Sequence, residues 1–230
     1  MKKYRGYLRE TRRPVYSAAL VFPFLLVYHA GTLLVGTTHI NGADALILRL
    51  LGALGIYSVY ASALVLAATL AAWQWRTGAP GRIRVRLLVL SILESACFAL
   101  VLLALFGWLG PRLPLAVGGP GIRDFIPYCG AGVYEEFLFR WRLVGSLLWL
   151  FRKVLPGGPA AATAAAALSA ALVFAAFHYL GPGGDPFSPG SFALRAAGGL
   201  YFGVIFIARG FGVAAASHAL YDIFLGIVAH

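Results

Sequence analysis

Three charged side chains interrupt an apolar segment of membrane length at Gly132-Val133-Tyr134-Glu135-Glu136-Phe137-Leu138-Phe139-Arg140. A charge near the centre of a bilayer costs at least about 2.5–3.5 kcal/mol on insertion scales, so such residues usually serve a function. Glu136 and Arg140 stand four residues apart, which on a helix predicts an ion pair. Glu135 lies roughly 100° further round the helix and is predicted to face a polar group elsewhere in the chain.

The composition indicates an integral membrane protein. Hydrophobic residues make up 60% of the 230 residues and charged residues only 12%, and the mean hydropathy is +0.82. Soluble domains carry about twice that share of charged residues. The net charge of +11 comes from short basic clusters between apolar runs rather than from one basic face. This distribution fits cytoplasmic loops and excludes nucleic acid as the expected partner.

The apolar runs predict an all-α, polytopic bundle of about seven membrane spans, with six to eight as the range. The predicted spans cover residues 14–35, 45–72, 87–109, 125–151, 160–180, 192–208 and 213–230. Each is long enough, or nearly so, to cross a hydrocarbon core of about 30 Å. Small residues at 160–167 and at Gly198-Gly199 predict close helix approach.

Charge asymmetry predicts the orientation and the domain limits. Placing the N-terminus in the cytoplasm puts the basic clusters at 2–13, 76–86, 152–153 and 209 on one side, as the positive-inside rule requires. We therefore expect a protein of a bacterial inner membrane with a cytoplasmic N-terminus. The chain divides into a basic cytoplasmic arm (1–13), N-terminal spans one to three (14–123) and a bundle that carries the polar residues (124–230).

Three of the predicted spans carry ionisable side chains. The fourth holds Glu135 and Glu136, the fifth ends near His178, and the seventh contains His218 and Asp222. Ionisable groups inside a membrane usually face the bundle interior and pair there. Since His218 and Asp222 are four residues apart, Asp222 is predicted to hold one ring nitrogen of His218 and fix its tautomer. The sequence thus predicts a polar pocket between spans four, five and seven.

This set of side chains suits hydrolysis. A carboxylate can take a proton from water, and imidazoles can polarise a carbonyl group or stabilise an oxyanion. Glu135, His178 and His218 could instead bind zinc, because one carboxylate with two imidazoles is a known zinc ligand set. The spacing of the residues does not decide between these two chemistries.

The polar residues form three ordered motifs: Glu135-Glu136-x-x-x-Arg140, Phe174-x-x-x-His178 and His218-x-x-x-Asp222. Together they resemble the motifs of the CPBP family of intramembrane proteases, which includes CAAX prenyl endopeptidases of the Rce1 type, bacteriocin-processing and immunity proteins, and myxosortase-like processing enzymes. The resemblance covers roughly residues 124–230. The third motif of the family often ends in Asn, where this chain has Asp222.

The resemblance implies a role for each matching residue. Glu135 would activate the attacking water, Glu136 would pair with Arg140 and brace the helix, and His178 and His218 would contact the water or the oxyanion. It favours a metal-free, glutamic-type endopeptidase with no cofactor, and zinc remains the alternative. The implied partners are the lipid bilayer and a membrane-anchored protein or hydrophobic peptide as substrate. The sequence does not indicate the oligomeric state.

Two other functions fit the same residues. A non-proteolytic scaffold or immunity protein would keep the polar pocket to bind a partner. A proton-coupled transporter would use carboxylates and imidazoles as a relay, although the chain shows no inverted repeat of the kind common in transporters.

Ionisable residues outside the motifs carry weaker expectations. Glu94, in the third predicted span, is expected to pair with Arg140 or Arg142 or to line the pocket. His29, His39 and His230 have no evident partner in the sequence and are expected at the membrane interface.

Overall fold

The computed structural model describes residues 2–36, 40–109, 122–181 and 184–228, and within these ranges it contains helices and turns but no strand. The predicted all-α class is therefore confirmed. The helices are α1 (Lys2–Thr11), α2 (Pro14–Val35), α3 (Gly42–Gly52), α4 (Ala61–Thr77), α5 (Val85–Leu109), α6 (Ile122–Glu135), a π-helical segment (Glu136–Val144), α7 (Gly145–Val154), α8 (Gly158–Phe177), α9 (Pro189–Arg209) and α10 (Phe211–Val228).

Five of the described helices are long and apolar enough to cross a membrane. They are Pro14–Leu34, Val85–Trp108, Gly158–Phe177, Pro189–Arg209 and Phe211–Val228. These correspond to the first, third, fifth, sixth and seventh predicted spans. The segments predicted as the second and fourth spans are not among them, so the structure supports an integral membrane protein without confirming seven crossings.

The prediction of one helix over residues 45–72 is wrong. The chain forms α3 and α4 instead, separated by turns at residues 53–60. Helix α3 ends in a Schellman motif: Gly55 N–H donates to Gly52 O at 2.9 Å and Ile56 N–H to Leu51 O at 3.0 Å. Gly55 has a φ of 82°, a left-handed conformation that glycine adopts without steric cost. Glycine chemistry thus ends the helix inside a run that hydropathy alone reads as continuous.

The fourth predicted span lies within a helix that runs from Ile122 to Val154 and changes character in the middle. Its central part, Glu136–Val144, is π-helical. A π-turn bonds residue i to residue i+5, so it holds one more residue than an α-turn, and such segments occur frequently at functional sites. The change begins at Glu136, directly after Glu135.

Helix α10 packs against α2, α5, α6 and α9. Glycines let it approach its neighbours closely. A Cβ atom added at Gly132 would lie 2.2 Å from the backbone nitrogen of Ala219, and one at Gly212 would lie 2.5 Å from Cα of Ser17. The predicted close approach at Gly198-Gly199 is also present, since a Cβ at Gly199 would lie 3.2 Å from Cα of Ala171. These contacts join α6 to α10, α10 to α2, and α9 to α8.

Candidate active site

The end of α6, the end of α8 and the middle of α10 supply the predicted site residues. Glu135 and Glu136 stand at the junction of α6 with the π-helical segment, and His178 is the first residue after α8. His218 and Asp222 lie one turn apart on α10. The close contact of Gly132 with Ala219 places the two glutamates next to His218, which precedes Ala219.

His218 is surrounded by three carboxylates. Its Nδ1 lies 2.8 Å from Oε1 of Glu136, while its Nε2 lies 3.8 Å from Oε2 of Glu135 and 3.6 Å from Oδ2 of Asp222. Because a carboxylate only accepts, Nδ1 carries the hydrogen of that short bond. The acid that fixes the tautomer is therefore Glu136, whereas Asp222, predicted for this role, lies at ion-pair distance from the other ring nitrogen, Nε2.

Both glutamates face the same imidazole. The expectation that Glu135 faces a polar group elsewhere in the chain is therefore confirmed, and Glu136 contacts the same ring in addition to its partner Arg140. Two features account for this: the helix widens into a π-turn at Glu136, and the two nitrogens of an imidazole lie on different edges of the ring. Glu136 thus orients the ring through Nδ1, while Glu135 faces Nε2.

Aromatic side chains fix the plane of the His218 ring. Phe202 of α9 stacks on it with ring centroids 4.3 Å apart and an interplanar angle of 18°. Phe174 of α8 approaches it edge-on at 6.0 Å. His218 is only 5% exposed, so the ring is held between these helices with few alternative orientations.

The predicted ion pair between Glu136 and Arg140 is present. Nη1 of Arg140 lies 3.0 Å from Oε1 of Glu136, and both side chains are almost fully buried. Arg140 Nη2 also donates to the carbonyl oxygen of Gly199 at 3.1 Å, and its guanidinium lies 4.3 Å from the centre of the Phe174 ring. The arginine therefore joins the π-helical segment to α8 and α9.

His178 is oriented by its own helix. Its Nδ1 lies 2.9 Å from the carbonyl oxygen of Phe174, which can only accept, so Nδ1 donates and Nε2 is left for other partners. The edge of the Phe174 ring also contacts the His178 ring, with centroids 4.8 Å apart. Phe174 thus touches both histidines and Arg140, a positional role that its place in the motif does not reveal.

Two cavities meet at His178. The smaller, of about 200 Å³, is mainly apolar and lies between α5, α8, α9 and α10, with His218 and Asp222 in its wall. The larger, of about 660 Å³, lies between α3 and the end of α8, and its wall includes Glu135. His178 lines both of them. The polar residues are therefore within reach of molecules that enter from either side.

The residues are not arranged as a metal site. In the described ranges no group of three or more His, Cys, Asp or Glu side chains is placed to hold an ion. The tautomers inferred above leave Nε2 of each histidine as the atom that would ligate, but these atoms and Glu135 do not form a ligand set as they stand.

Comparison with protein families supports the resemblance seen in the motifs. Residues 123–224 match the family described as type II CAAX prenyl endopeptidase Rce1-like. We call this segment the Rce1-like domain after the family that it matches. The matched range contains all six motif residues that carry charge or an imidazole. No curated protein and no solved structure matches the chain. The family implies a peptidase that acts in the membrane on a membrane-embedded protein or peptide.

The helices that precede the Rce1-like domain reach α6, which ends at Glu135, through a polar network that the sequence did not reveal. The hydroxyl group of Tyr134, next to Glu135, lies 2.7 Å from Nε2 of His29 on α2 and accepts a hydrogen bond from Ser62 on α4 at 3.3 Å. His29, for which the sequence indicated no partner, therefore has one in Tyr134. His39 and His230 lie outside the described residues.

A second part of this network surrounds Asp44, which is 1% exposed. Tyr28 donates to the Asp44 carboxylate at 2.7 Å. The backbone nitrogen of Asp44 donates at 2.9 Å to the side chain of Asn41, which caps α3. Burial raises the pKa of the Asp44 carboxyl, and the hydrogen bond from Tyr28 opposes this change in part. The network fixes the start of α3 beside α2.

We expect Tyr134→Phe to lower the free energy of unfolding by about 1–2 kcal/mol, because His29 and Ser62 lose their shared partner in a buried place. The measurement is equilibrium unfolding of the purified protein in mixed micelles. Tyr57→Phe is the matched control, since Tyr57 is 87% exposed. Equal stability of the two variants would contradict a structural role for the Tyr134 hydroxyl.

A second, partly buried ion pair joins α5 to the end of α9. Glu94 on α5 pairs with Arg209 on α9, with Oε1 2.6 Å from Nε, and accepts from Tyr7 on α1 at 2.7 Å. The expected pairing of Glu94 with Arg140 or Arg142 is therefore wrong. Arg209 also donates to Thr11 at 3.1 Å. These bonds attach α1 to the bundle just before α10 begins.

Proposed function

We propose that the protein is an intramembrane endopeptidase that hydrolyses a peptide bond of a membrane-associated protein or peptide near the bilayer face. The observation that carries the proposal is the position of Glu135. Its Oε2 lies 3.8 Å from Nε2 of His218, while Glu136 holds the opposite nitrogen of the same ring. Glu135 also lines the larger cavity, where water and a peptide can reach it.

In the first step Glu135 acts as the general base. Its carboxylate accepts one proton from a water molecule, and the water oxygen forms a bond to the carbonyl carbon of the scissile peptide. The π electron pair of the carbonyl moves onto its oxygen, giving a tetrahedral oxyanion. A positioned base of this kind contributes about 10²–10⁴-fold to the rate.

Two imidazoles stabilise this intermediate. With a proton on both nitrogens, His218 donates from Nε2 to the oxyanion while Nδ1 stays bonded to Glu136. Asp222, 3.6 Å from Nε2, adds negative charge beside that protonated ring and so favours it. His178 presents Nε2 at the junction of the two cavities and helps to orient the water or the peptide.

In the second step the intermediate collapses. The oxyanion re-forms the carbonyl double bond, the carbon–nitrogen bond breaks, and the leaving nitrogen takes the proton that Glu135 received. The products are a carboxylic acid and an amine, and Glu135 returns to its ionised form. The water, the proton and the electron pairs balance without any further reactant.

The test compares the wild-type protein with Glu135→Gln, which keeps the shape of the side chain but cannot take up the proton. Both are co-expressed with membrane-anchored candidate proteins, and new termini are identified by mass spectrometry. The purified proteins are then assayed on the peptides found. We expect cleavage to fall at least about 100-fold. Glu10→Gln, at a partly exposed ion pair at the end of α1, is the control.

Unchanged products from Glu135→Gln would refute the proposal and favour a scaffold that binds without cleaving. A strong chelator, added to the wild-type assay, separates the two hydrolytic chemistries. Cleavage that persists favours the carboxylate mechanism. Loss of cleavage that zinc restores favours Glu135, His178 and His218 as ligands.

A further inference from the structure

One face of α3 forms a wall of the larger cavity. Gly42, Ala45, Leu46 and Arg49 all line it, and their spacing of three, four and seven residues puts them on one stripe of the helix. The opposite face carries Ala43, Asp44 and Ile47, which are buried in the bundle. A Cβ at Gly42 would lie 3.3 Å from the Phe177 ring, so the start of α3 fits closely against the end of α8.

The charged side chains that line this cavity differ in whether they have a partner. Asp185 is paired with Arg195, and Glu135 faces His218. The guanidinium group of Arg49, in contrast, has no ion-pair or hydrogen-bond partner in the described part of the chain. It is thus a cation without a counter-charge in the same cavity as the proposed catalytic base and His178.

An unpaired guanidinium at this place suits an anionic ligand. Its planar N–H groups match a carboxylate with two parallel hydrogen bonds, which an ammonium group cannot reproduce. Glu135 repels any anion that approaches the cavity, so a cation on the facing helix is needed if a negatively charged peptide is to bind beside it. The position of Arg49 also determines the orientation of the bound peptide, because the anionic group of the peptide must lie near the end of α3.

We propose that Arg49 binds a carboxylate of the substrate peptide and thereby selects acidic substrates and their orientation. This inference rests on the proposed endopeptidase function and adds a property of the substrate. A lipid phosphate could also meet a guanidinium, but the substrate is favoured because Arg49 shares its cavity with Glu135 and His178. The basic residue that contacts substrate is then supplied by a helix outside the matched family domain.

The experiment measures binding separately from cleavage. A short, fluorescent leucine- and alanine-rich peptide is prepared with a free C-terminal carboxylate or a carboxamide, and a second pair carries an internal glutamate or glutamine. Affinity is measured by fluorescence anisotropy on Glu135→Gln protein in phosphatidylcholine proteoliposomes, because this protein cannot consume the peptide. Arg49→Gln and Arg49→Lys are each combined with Glu135→Gln. Arg82→Gln, on the exposed loop before α5, is the control.

We expect at least one carboxylate peptide to bind about tenfold or more tightly than its neutral partner, as charged hydrogen bonds require. Arg49→Gln should abolish this preference without weakening the neutral peptide. Arg49→Lys should restore part of it, and Arg82→Gln should leave it intact. In cleavage assays with active protein, Arg49→Gln should raise KM for the acidic peptide and leave kcat unchanged.

Three outcomes would overturn the proposal. The first is that the parent protein prefers neither acidic peptide, and the second is that Arg49→Gln lowers the affinity for acidic and neutral peptides equally. The third is that the effect of Arg49→Gln appears only when phosphatidylglycerol is added. The last outcome assigns Arg49 to lipid headgroups. If the preference is present but no peptide is cleaved by wild-type protein, the endopeptidase function fails and the anion site stands.

Discussion

Arg140→Met is expected to lower the free energy of unfolding by about 3–5 kcal/mol, the cost of leaving one partner of a buried ion pair without its counter-charge. Glu136 would remain fully buried, with Oε2 already lacking a hydrogen-bond partner. The carbonyl group of Gly199 and the ring of Phe174 would also lose the guanidinium that contacts both. The substitution therefore weakens the contacts of the π-helical segment with both α8 and α9.

The measurement is equilibrium unfolding in mixed micelles, with two comparisons. Arg142→Met is the matched control, because Arg142 lies in the same π-helical segment and is exposed. The double variant Glu136→Gln/Arg140→Met should regain part of the stability, since it removes both charges together. If Arg140→Met and Arg142→Met unfold alike, the buried pair does not stabilise the fold.

Gly132→Ala is expected to destabilise the protein by at least about 3 kcal/mol, at or above the usual upper limit for overpacking. The new methyl group would lie 2.2 Å from the backbone nitrogen of Ala219 and 2.4 Å from its Cα. Backbone atoms cannot rotate away as a side chain can, so α6 and α10 must separate. Because His218 precedes Ala219, its distances to Glu135 and Glu136 should increase, and cleavage should be lost.

Gly145→Ala is the control for this effect. It lies in the same long helix, but a Cβ there would meet no atom within 4 Å. Alanine should therefore raise the free energy of unfolding by up to about 1 kcal/mol through its helix propensity. Unfolding and cleavage are measured for both variants. A Gly132→Ala protein with wild-type stability and activity would show that α6 and α10 do not need this close contact.

The sequence predicts which residues come together at the candidate site, but it does not predict all of their contacts. Glu136 and Arg140 are four residues apart, and this local spacing was sufficient to predict their pair. The partner of Nδ1 in His218 could not be inferred in the same way, because Glu136 and Asp222 are both plausible acceptors and only the packing of α6 on α10 selects one. Similarly, Tyr134 meets His29 across 105 positions of sequence.

The sequence contains a local signal for the break between α3 and α4, but the hydropathy of the surrounding residues masks it. Gly52 and Gly55 stand in an apolar run, and the hydropathy of that run predicted one span. Hydropathy measures the preference of side chains for lipid, whereas the helix end depends on a backbone conformation that Gly55 alone provides. Arg49 owes its place at the cavity to this break, since it lies in the last turn of α3.

The π-helical segment also affects which sequence changes the protein can tolerate. Its extra residue per turn shifts the register of α7 relative to α6, and α7 has no buried residue. The part of the helix after Val144 packs on α8 through half-buried side chains such as Leu147 and Phe151, while the part before it meets α10 with close steric constraints. Mutations can accumulate at the exposed positions of Gly145–Val154 without turning Glu135 and Glu136 away from His218, so the surface that adapts to a particular membrane can evolve separately from the candidate catalytic residues.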